Sequence, residues 1–131
     1  MIAMINANNI WIFRPDGSDL VQLTTDGADK FSLQWAPDGQ SIFYISGKCI
    51  GEVSITGEAR NLACFNYSEY LEDFSISPDG AQMAIALDRV LYVVPFDLVK
   101  LEGSKNHNDV INMNGCLTYD NLAARGARWS A

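Results

Sequence analysis

The sequence contains very few of the side chains that enzymes use for catalysis or for holding a metal. Its 131 residues include one histidine and three cysteines. They contain no CxxC pair or zinc-type spacing, no GxSxG elbow and no glycine-rich phosphate loop after a strand. The paired aspartates near the N-terminus lack the order of a calcium-binding loop. We therefore predict no catalytic, cofactor-binding or metal-ligating residue, and a protein that is not an enzyme.

The single histidine, His107, lies in a polar segment between two asparagines. A catalytic triad needs a nucleophile and an acid that orients the imidazole. Ser104 is close in sequence, but the segment offers no such arrangement. We interpret His107 as a surface residue.

The three cysteines are an odd number and cannot all pair within one chain. They lie far apart, at Cys49, Cys64 and Cys116. We expect them to be reduced, partly buried thiols. A Cys49–Cys64 bridge is the alternative, because both fall in neighbouring strands of one proposed repeat unit.

Basic residues and long apolar runs are also scarce. Nine lysines and arginines stand against 16 aspartates and glutamates, which gives a net charge of −7 and a pI of about 4.4. Nucleic-acid binding needs a basic stripe, and this balance disfavours it. The longest apolar run, near residues 90–96, is broken by Pro95, and the N-terminus lacks the features of a signal peptide. We expect a soluble chain that binds no nucleic acid and inserts into no membrane; these features name no compartment.

What the sequence does contain is a packed-core composition and an internal repeat of about 40 residues. Residues 35–46, WAPDGQSIFYIS, indicate a strand, a tight turn and a second strand. The same pattern returns 41 residues later at residues 76–87, ISPDGAQMAIAL. Residues 2–17 also align without a gap onto residues 42–57, at an offset of 40. Each copy holds four short strands separated by turn signals, which is typical of a β-propeller blade.

The Pro-Asp-Gly triplets have a local explanation. Proline presets φ, aspartate accepts backbone N–H bonds, and glycine supplies a positive φ. Asp38 and Asp79 could be mistaken for metal ligands. Their recurrence in each copy favours a role in the turns.

The repeat predicts an all-β fold: blades of four antiparallel strands, three blades' worth per chain, or half of a six-bladed ring. We treat residues 1–131 as one partial propeller domain. Its blades are expected at residues 1–24 with the strand 127–131, which a partner chain could supply, then at 31–64 and 72–117. Outer and additional strands are predicted at residues 98–101, 110–117 and 127–130, and a single helical turn at residues 121–125. The segment 102–117 adds roughly a dozen residues to the repeat, and a solvated loop is favoured over a functional one.

Residues 10–46, IWIFRPDGSDLVQLTTDGADKFSLQWAPDGQSIFYIS, resemble the TolB-like, WD-repeat-like β-propeller repeat. In that family a strand ends in a Gly turn, Leu-Thr closes the blade, and Trp-Ser-Pro-Asp-Gly opens the next. Gly17, the pair at 23–24 and the run at 35–39 match that order. Residues 77–80 match the second opening, with Ile76 in place of tryptophan, and residues 129–130 begin the third. The resemblance implies the fold and is nearly silent on activity.

Three blades are too few to close a ring, since propellers close with roughly four to eight. Either the chain is part of a longer propeller, or two chains close a six-bladed ring by exchanging the strand at 127–130. The leading interpretation is a non-catalytic scaffold that binds a protein or peptide and forms a homodimer. The alternatives are the substrate-gating propeller of a serine oligopeptidase and, less favoured, a propeller-based carbohydrate-active enzyme. Cofactors are not expected.

One acidic cluster precedes the third copy. Glu69, Glu72 and Asp73 lie beside Tyr67 and Tyr70. They are suited to lining one mouth of a ring. A solvated connecting loop is the favoured interpretation.

Overall fold

The computed structural model describes residues 1–113, 115–119 and 127–130, and the chain folds as two compact units. The first unit is Met1–Asn61, and the second begins at Leu62. The described residues form three antiparallel sheets. The prediction of an all-β fold built from propeller-type sheets is confirmed.

The first sheet has the strand order β1-β2-β3. Its strands are β1 (Ile2–Asn6), β2 (Asn9–Phe13) and β3 (Val21–Gln22). The second sheet has the order β4-β5-β6-β7. Its strands are β4 (Phe31–Trp35), β5 (Ser41–Ser46), β6 (Cys49–Ser54) and β7 (Ala59–Cys64). Strands that follow one another in sequence are neighbours in each sheet, as tight turns between antiparallel strands require.

The core of the first unit lies between the facing surfaces of the first and second sheets. Ile10, Ile12 and Leu23 from the first sheet form one cluster with Ile42, Tyr44 and Val53 from the second. Side chains alternate along a strand, so one face of each sheet supplies all of these residues. Trp35 and Ala3 pack against the edge of this cluster.

The third sheet lies in the second unit and has the order β8-β9-β10-β11. Its strands are β8 (Leu71–Ile76), β9 (Gln82–Leu87), β10 (Val90–Pro95) and β11 (Leu117–Tyr119). Two short helices, α1 (Leu98–Leu101) and α2 (His107–Ile111), lie between β10 and β11 in the chain. One face of this sheet is fully buried, through Phe74, Met83, Ile85, Tyr92 and Val94.

The turn residues behave as predicted. The Asp38 carboxylate accepts from the Gln40 backbone at 2.9 Å, and that of Asp79 accepts from Ala81 at 3.0 Å. Gly39 and Gly80 have φ values of 71° and 72°, in the left-handed region that favours glycine. The turn interpretation of these aspartates is confirmed.

The strands predicted at residues 98–101 and 110–117 are wrong. The Asp97 side chain accepts hydrogen bonds from the Val99 and Lys100 backbone, so that residues 98–101 begin a helical turn. Asn106 and Asp109 form a reciprocal capping box at the start of α2. The fourth strand of the sheet is instead Leu117–Tyr119. Capping outweighs weak strand preference here, and apolar periodicity gives no signal for helices this short.

The strand predicted at residues 127–130 is also absent from the described structure, in which this segment adopts no regular element. It is held by its side chains: the Trp129 indole Nε1 donates to the Ser75 carbonyl at 3.0 Å. The helical turn predicted at residues 121–125 lies outside the described residues.

The expectation of reduced cysteines is wrong for two of the three. Cys49 and Cys64 are disulfide-bonded, whereas Cys116 is free. Cys49 begins β6 and Cys64 ends β7, and these strands are neighbours in the second sheet. An antiparallel arrangement brings the start of one strand beside the end of the next, which allows the bridge.

Candidate functional site

The most densely connected polar cluster of the second unit surrounds the start of β8. It contains the carboxylates of Glu69, Glu72 and Asp73, which are all buried. The prediction that these acids form a solvated loop is therefore wrong. A buried carboxylate is stable only when it is hydrogen-bonded or paired with a cation, so the partners of each one matter.

Glu69 binds the start of helix α2. Its Oε1 atom is 2.6 Å from the Nδ1 atom of His107 and accepts a second bond from the His107 backbone at 3.2 Å. About half of the His107 side chain is exposed, at 47%, while Glu69 is almost fully enclosed. A buried acid thus fixes the orientation of a surface imidazole.

The other two carboxylates are held from different directions. Glu72 accepts a hydrogen bond from the Arg89 backbone in the β9–β10 turn at 2.7 Å. Asp73 accepts from the Phe74 backbone at 2.8 Å and from the Arg128 guanidinium at 3.1 Å. The three acids therefore anchor three separate segments to the start of β8.

The helical segment is also fastened by its backbone and its apolar side chains. The Asn66 N–H donates to the Lys105 carbonyl at 2.8 Å, and the Gly103 N–H donates to that of Leu62 at 2.8 Å. Leu101, Val110 and Met113 are buried. The predicted solvated loop at residues 102–117 is thus a packed element, which supports the Glu69–His107 contact.

Two tyrosines project from the same connection. Tyr67 is 96% exposed and Tyr70 is 55% exposed. Tyrosine offers a large contact area at low conformational cost, and it is enriched where proteins bind partners. The buried acids thus lie beneath an exposed aromatic pair, which we call the tyrosine ridge.

A second candidate region is a groove on the other face of the third sheet. It has a volume of about 270 Å³. Its floor consists of Ser75, Ala84, Leu91 and Val93, and residues 127–130 form its wall. The lining is largely apolar, so the groove is suited to contact with another apolar surface rather than to chemistry on a charged group.

The described residues offer little for catalysis. Within the described ranges, no group of three histidine, cysteine or acidic side chains is placed to hold a metal. None of the helices that the structure describes has the length and apolarity to cross a membrane.

Sequence reasoning named the three acids and His107 but missed their contacts. Glu69 and His107 are 38 residues apart, and Asp73 and Arg128 are 55 apart. No local spacing rule joins positions at such distances. The available signal was weak: a lone histidine beside a capping asparagine, and acids placed directly before a buried strand.

Comparison with solved structures shows the fold. TolB from Acinetobacter baumannii matches with a TM-score of 0.55 and 21% identity, over 68% of this chain and 24% of that one. Selenomethionine-substituted virginiamycin B lyase from Staphylococcus aureus matches with a TM-score of 0.51 and 17% identity, over 68% and 31%. An oligogalacturonate lyase in complex with manganese matches with a TM-score of 0.51 and 22% identity, over 66% and 26%.

All three of these structures are β-propellers. The sheets of this chain are therefore propeller blades. The matched region spans about a quarter to a third of the length of those proteins. No family model and no curated protein matches the sequence.

Proposed function

We propose that this chain is a non-catalytic scaffold of the TolB-like, WD-repeat-like propeller type, which binds a protein or peptide. The tyrosine ridge carries the proposal: two exposed aromatic rings stand on a connection whose buried acids and helices hold it in place. Rigid aromatic anchors bind partners at low entropic cost. The net charge of −7 favours partners with basic residues, because it steers cations toward the surface.

Peptide binding tests the proposal directly. Fluorescence anisotropy would compare peptide pools that are matched in length and differ in charge. We expect the basic pool to bind, and the double variant Tyr67→Ala/Tyr70→Ala to weaken that binding at least tenfold. Val99→Ala is the matched control, since Val99 is also an exposed apolar side chain, in α1. Equal binding by both variants, or none by the wild type, would overturn the proposal.

We further propose that a second copy of the chain completes the ring. The three described sheets fall short of the roughly four blades that the smallest propellers need. An open array of blades leaves apolar faces in contact with water, which favours association. Light scattering coupled to gel filtration should give twice the chain mass of 14.4 kDa. A monomer mass at all accessible concentrations would rule out this closure.

Membership of a longer propeller is the second candidate. It is favoured by the match to only 24 to 31% of the solved propellers. A propeller that gates substrate entry to a serine oligopeptidase is one such protein. Nucleotide sequence on either side of this coding region decides: further blades followed by a GxSxG module would support this candidate and replace the homodimer.

The absence of catalysis is a separate proposal. The comparison with an oligogalacturonate lyase names a substrate and a metal to test. Incubation of this chain with oligogalacturonate, with and without manganese, should release no unsaturated product. Turnover that His107→Ala abolishes would show that the Glu69–His107 pair is catalytic and would overturn the scaffold interpretation.

A further inference from the structure

We propose that two copies join through one defined interface: the outer face of the first sheet of one copy covers the third-sheet groove of the other. In this interface, residues 127–130 of one copy pair with strand β1 of the other. The inference rests on the proposed closure by a second copy. It adds which surfaces meet and in which register.

The outer face of the first sheet is apolar. Ile2 lies opposite Phe13 and Met4 lies opposite Trp11 in the β1–β2 pairing, so these four side chains share one face. Ile2 is 41% exposed. The Trp11 Nε1 atom is buried, yet no described residue accepts its hydrogen bond. This face has the composition of an interface core rather than of a solvated surface.

The first unit provides a template for how such faces pack. There, the inner face of the first sheet lies on the second sheet. The residues that the second sheet contributes are Ile42, Tyr44 and Val53. Forty positions earlier in the repeat stand Ile2, Met4 and Phe13. The outer face of the first sheet is therefore the repeat equivalent of a surface that binds another sheet within this protein.

The complementary half of that template is found on the third sheet. In the first unit, the second sheet is met by a surface that contains Ala3, Ile10 and Ile12. The two repeat offsets, 40 and 41 residues, carry these positions to Ala84, Leu91 and Val93. These three residues line the floor of the third-sheet groove. Both halves of the template thus recur, at opposite ends of the described array of strands.

Residues 127–130 set the register. Trp129 occupies the repeat position of Trp35, which lies opposite Ile42 in the β4–β5 pairing. Its neighbour Gln34 lies opposite Phe43. Shifted by 40 residues, the same pairing places Trp129 opposite Ile2 and Arg128 opposite Ala3 of a second copy. The strand β1 forms an edge of the described first sheet, as this pairing needs.

Anchoring and charge agree with this occupant. Trp129 packs toward the third sheet through its bond to Ser75, as Trp35 packs toward the first sheet. Arg128 is the one charged residue among those lining the groove, and Asp73 neutralises it. The two faces can therefore meet without the repulsion expected between chains that each carry a charge of −7.

Site-specific cross-linking tests the register. Two single-cysteine variants, Ala3→Cys and Arg128→Cys, are made in a Cys116→Ser background and mixed under mild oxidation. Residues that lie opposite each other in antiparallel strands are close enough for a disulfide. We expect a covalent dimer from this mixture and none when Val99→Cys replaces Arg128→Cys. Light scattering of the unmodified protein runs in parallel.

The outcomes separate the two claims. A dimer mass with the expected cross-link supports both. A dimer mass with no cross-link, or with an equal one from Val99→Cys, overturns this interface and leaves the proposed closure standing. A monomer mass overturns both.

A charge placed in the interface gives an independent measurement. Phe13→Asp should weaken dimerisation at least a hundredfold, whereas Leu20→Asp, at an exposed position outside the strands, should leave it unchanged. Circular dichroism confirms that each variant is folded. If folded Phe13→Asp dimerises like the wild type, the first-sheet face is not the interface.

Discussion

Glu69 and His107 are 38 residues apart in the chain, yet the Oε1 atom of one lies 2.6 Å from the Nδ1 atom of the other. The same carboxylate also accepts the His107 backbone N–H. One buried side chain therefore fastens helix α2 to the connection that carries the tyrosine ridge. If that ridge binds a partner, its rigidity depends on this contact.

Removal of the Glu69 side chain should loosen the helical segment more than removal of the imidazole. Glu69→Ala deletes both hydrogen bonds, whereas His107→Ala leaves the backbone bond in place. Hydrogen bonds to charged groups contribute about 1.5–3 kcal/mol each, so we expect Glu69→Ala to lower the free energy of local opening by about 2 kcal/mol. Amide hydrogen exchange over residues 98–113 measures it. Glu58→Ala, at an exposed position, is the control; equal protection in both variants would contradict the anchoring role.

The disulfide should contribute strongly to stability. A bridge between neighbouring strands closes a short loop and restricts the unfolded chain, which typically stabilises a protein by about 2–4 kcal/mol. We expect the double variant Cys49→Ser/Cys64→Ser to lower the free energy of unfolding by that amount in urea titrations. Reductant should have the same effect on the wild type and none on the double variant. Cys116→Ser should be neutral, because Cys116 forms no bridge.

Lys30 is a buried ammonium whose stability depends on three acceptors. It donates to the Asn8 carbonyl at 3.0 Å, to the Ala28 carbonyl at 2.7 Å and to the Asp26 carboxylate. The Asp26 carboxylate is mostly exposed, so solvent screens its attraction. Asp26→Asn should therefore lower the free energy of unfolding by about 1–2 kcal/mol, and Asp29→Asn should change it little.

The same pair predicts a pH dependence. The hydrogen bond from Lys30 lowers the pKa of Asp26 below its ordinary value. The folded state then holds the proton less tightly than the unfolded state, so the contribution of Asp26 is complete above the unfolded pKa. It is lost as the pH falls through the lower folded pKa. Unfolding curves measured across acidic pH should be less steep in pH for Asp26→Asn than for the wild type; parallel curves would contradict this assignment.

Gly51 lies opposite Tyr44 in the β5–β6 pairing, and the Tyr44 ring occupies the space above it. A Cβ atom on Gly51 would lie 2.7 Å from the ring Cζ atom. Because Tyr44 is buried in the core cluster, its ring cannot move freely. Gly51→Ala should lower the free energy of unfolding by about 1–3 kcal/mol. A double-mutant cycle with Tyr44→Leu checks the cause: the penalty should shrink in the smaller background, and additive effects would rule out the clash.

The repeat and its turns were predictable because they depend on contacts between near neighbours. Alternating apolar residues predict strands, and Pro-Asp-Gly predicts the turn between them, within four or five positions. The strand predictions for residues 31–35 and 59–64 agree with β4 and β7 at both ends. Helices α1 and α2 were missed, since each is about one turn long and is specified by its caps rather than by an apolar period.

The sequence by itself determined that the chain forms propeller-type sheets and that its aspartates at Pro-Asp-Gly serve turns. Only the tertiary structure decided that Glu69 and Asp73 are buried and whom they bind, that Cys49 and Cys64 are oxidised, and that Trp129 rests on the third sheet. The physical reason is range. Strand alternation and turn geometry arise between residues a few positions apart, whereas burial, charge pairing and disulfide formation depend on which distant segments the packed blades bring together.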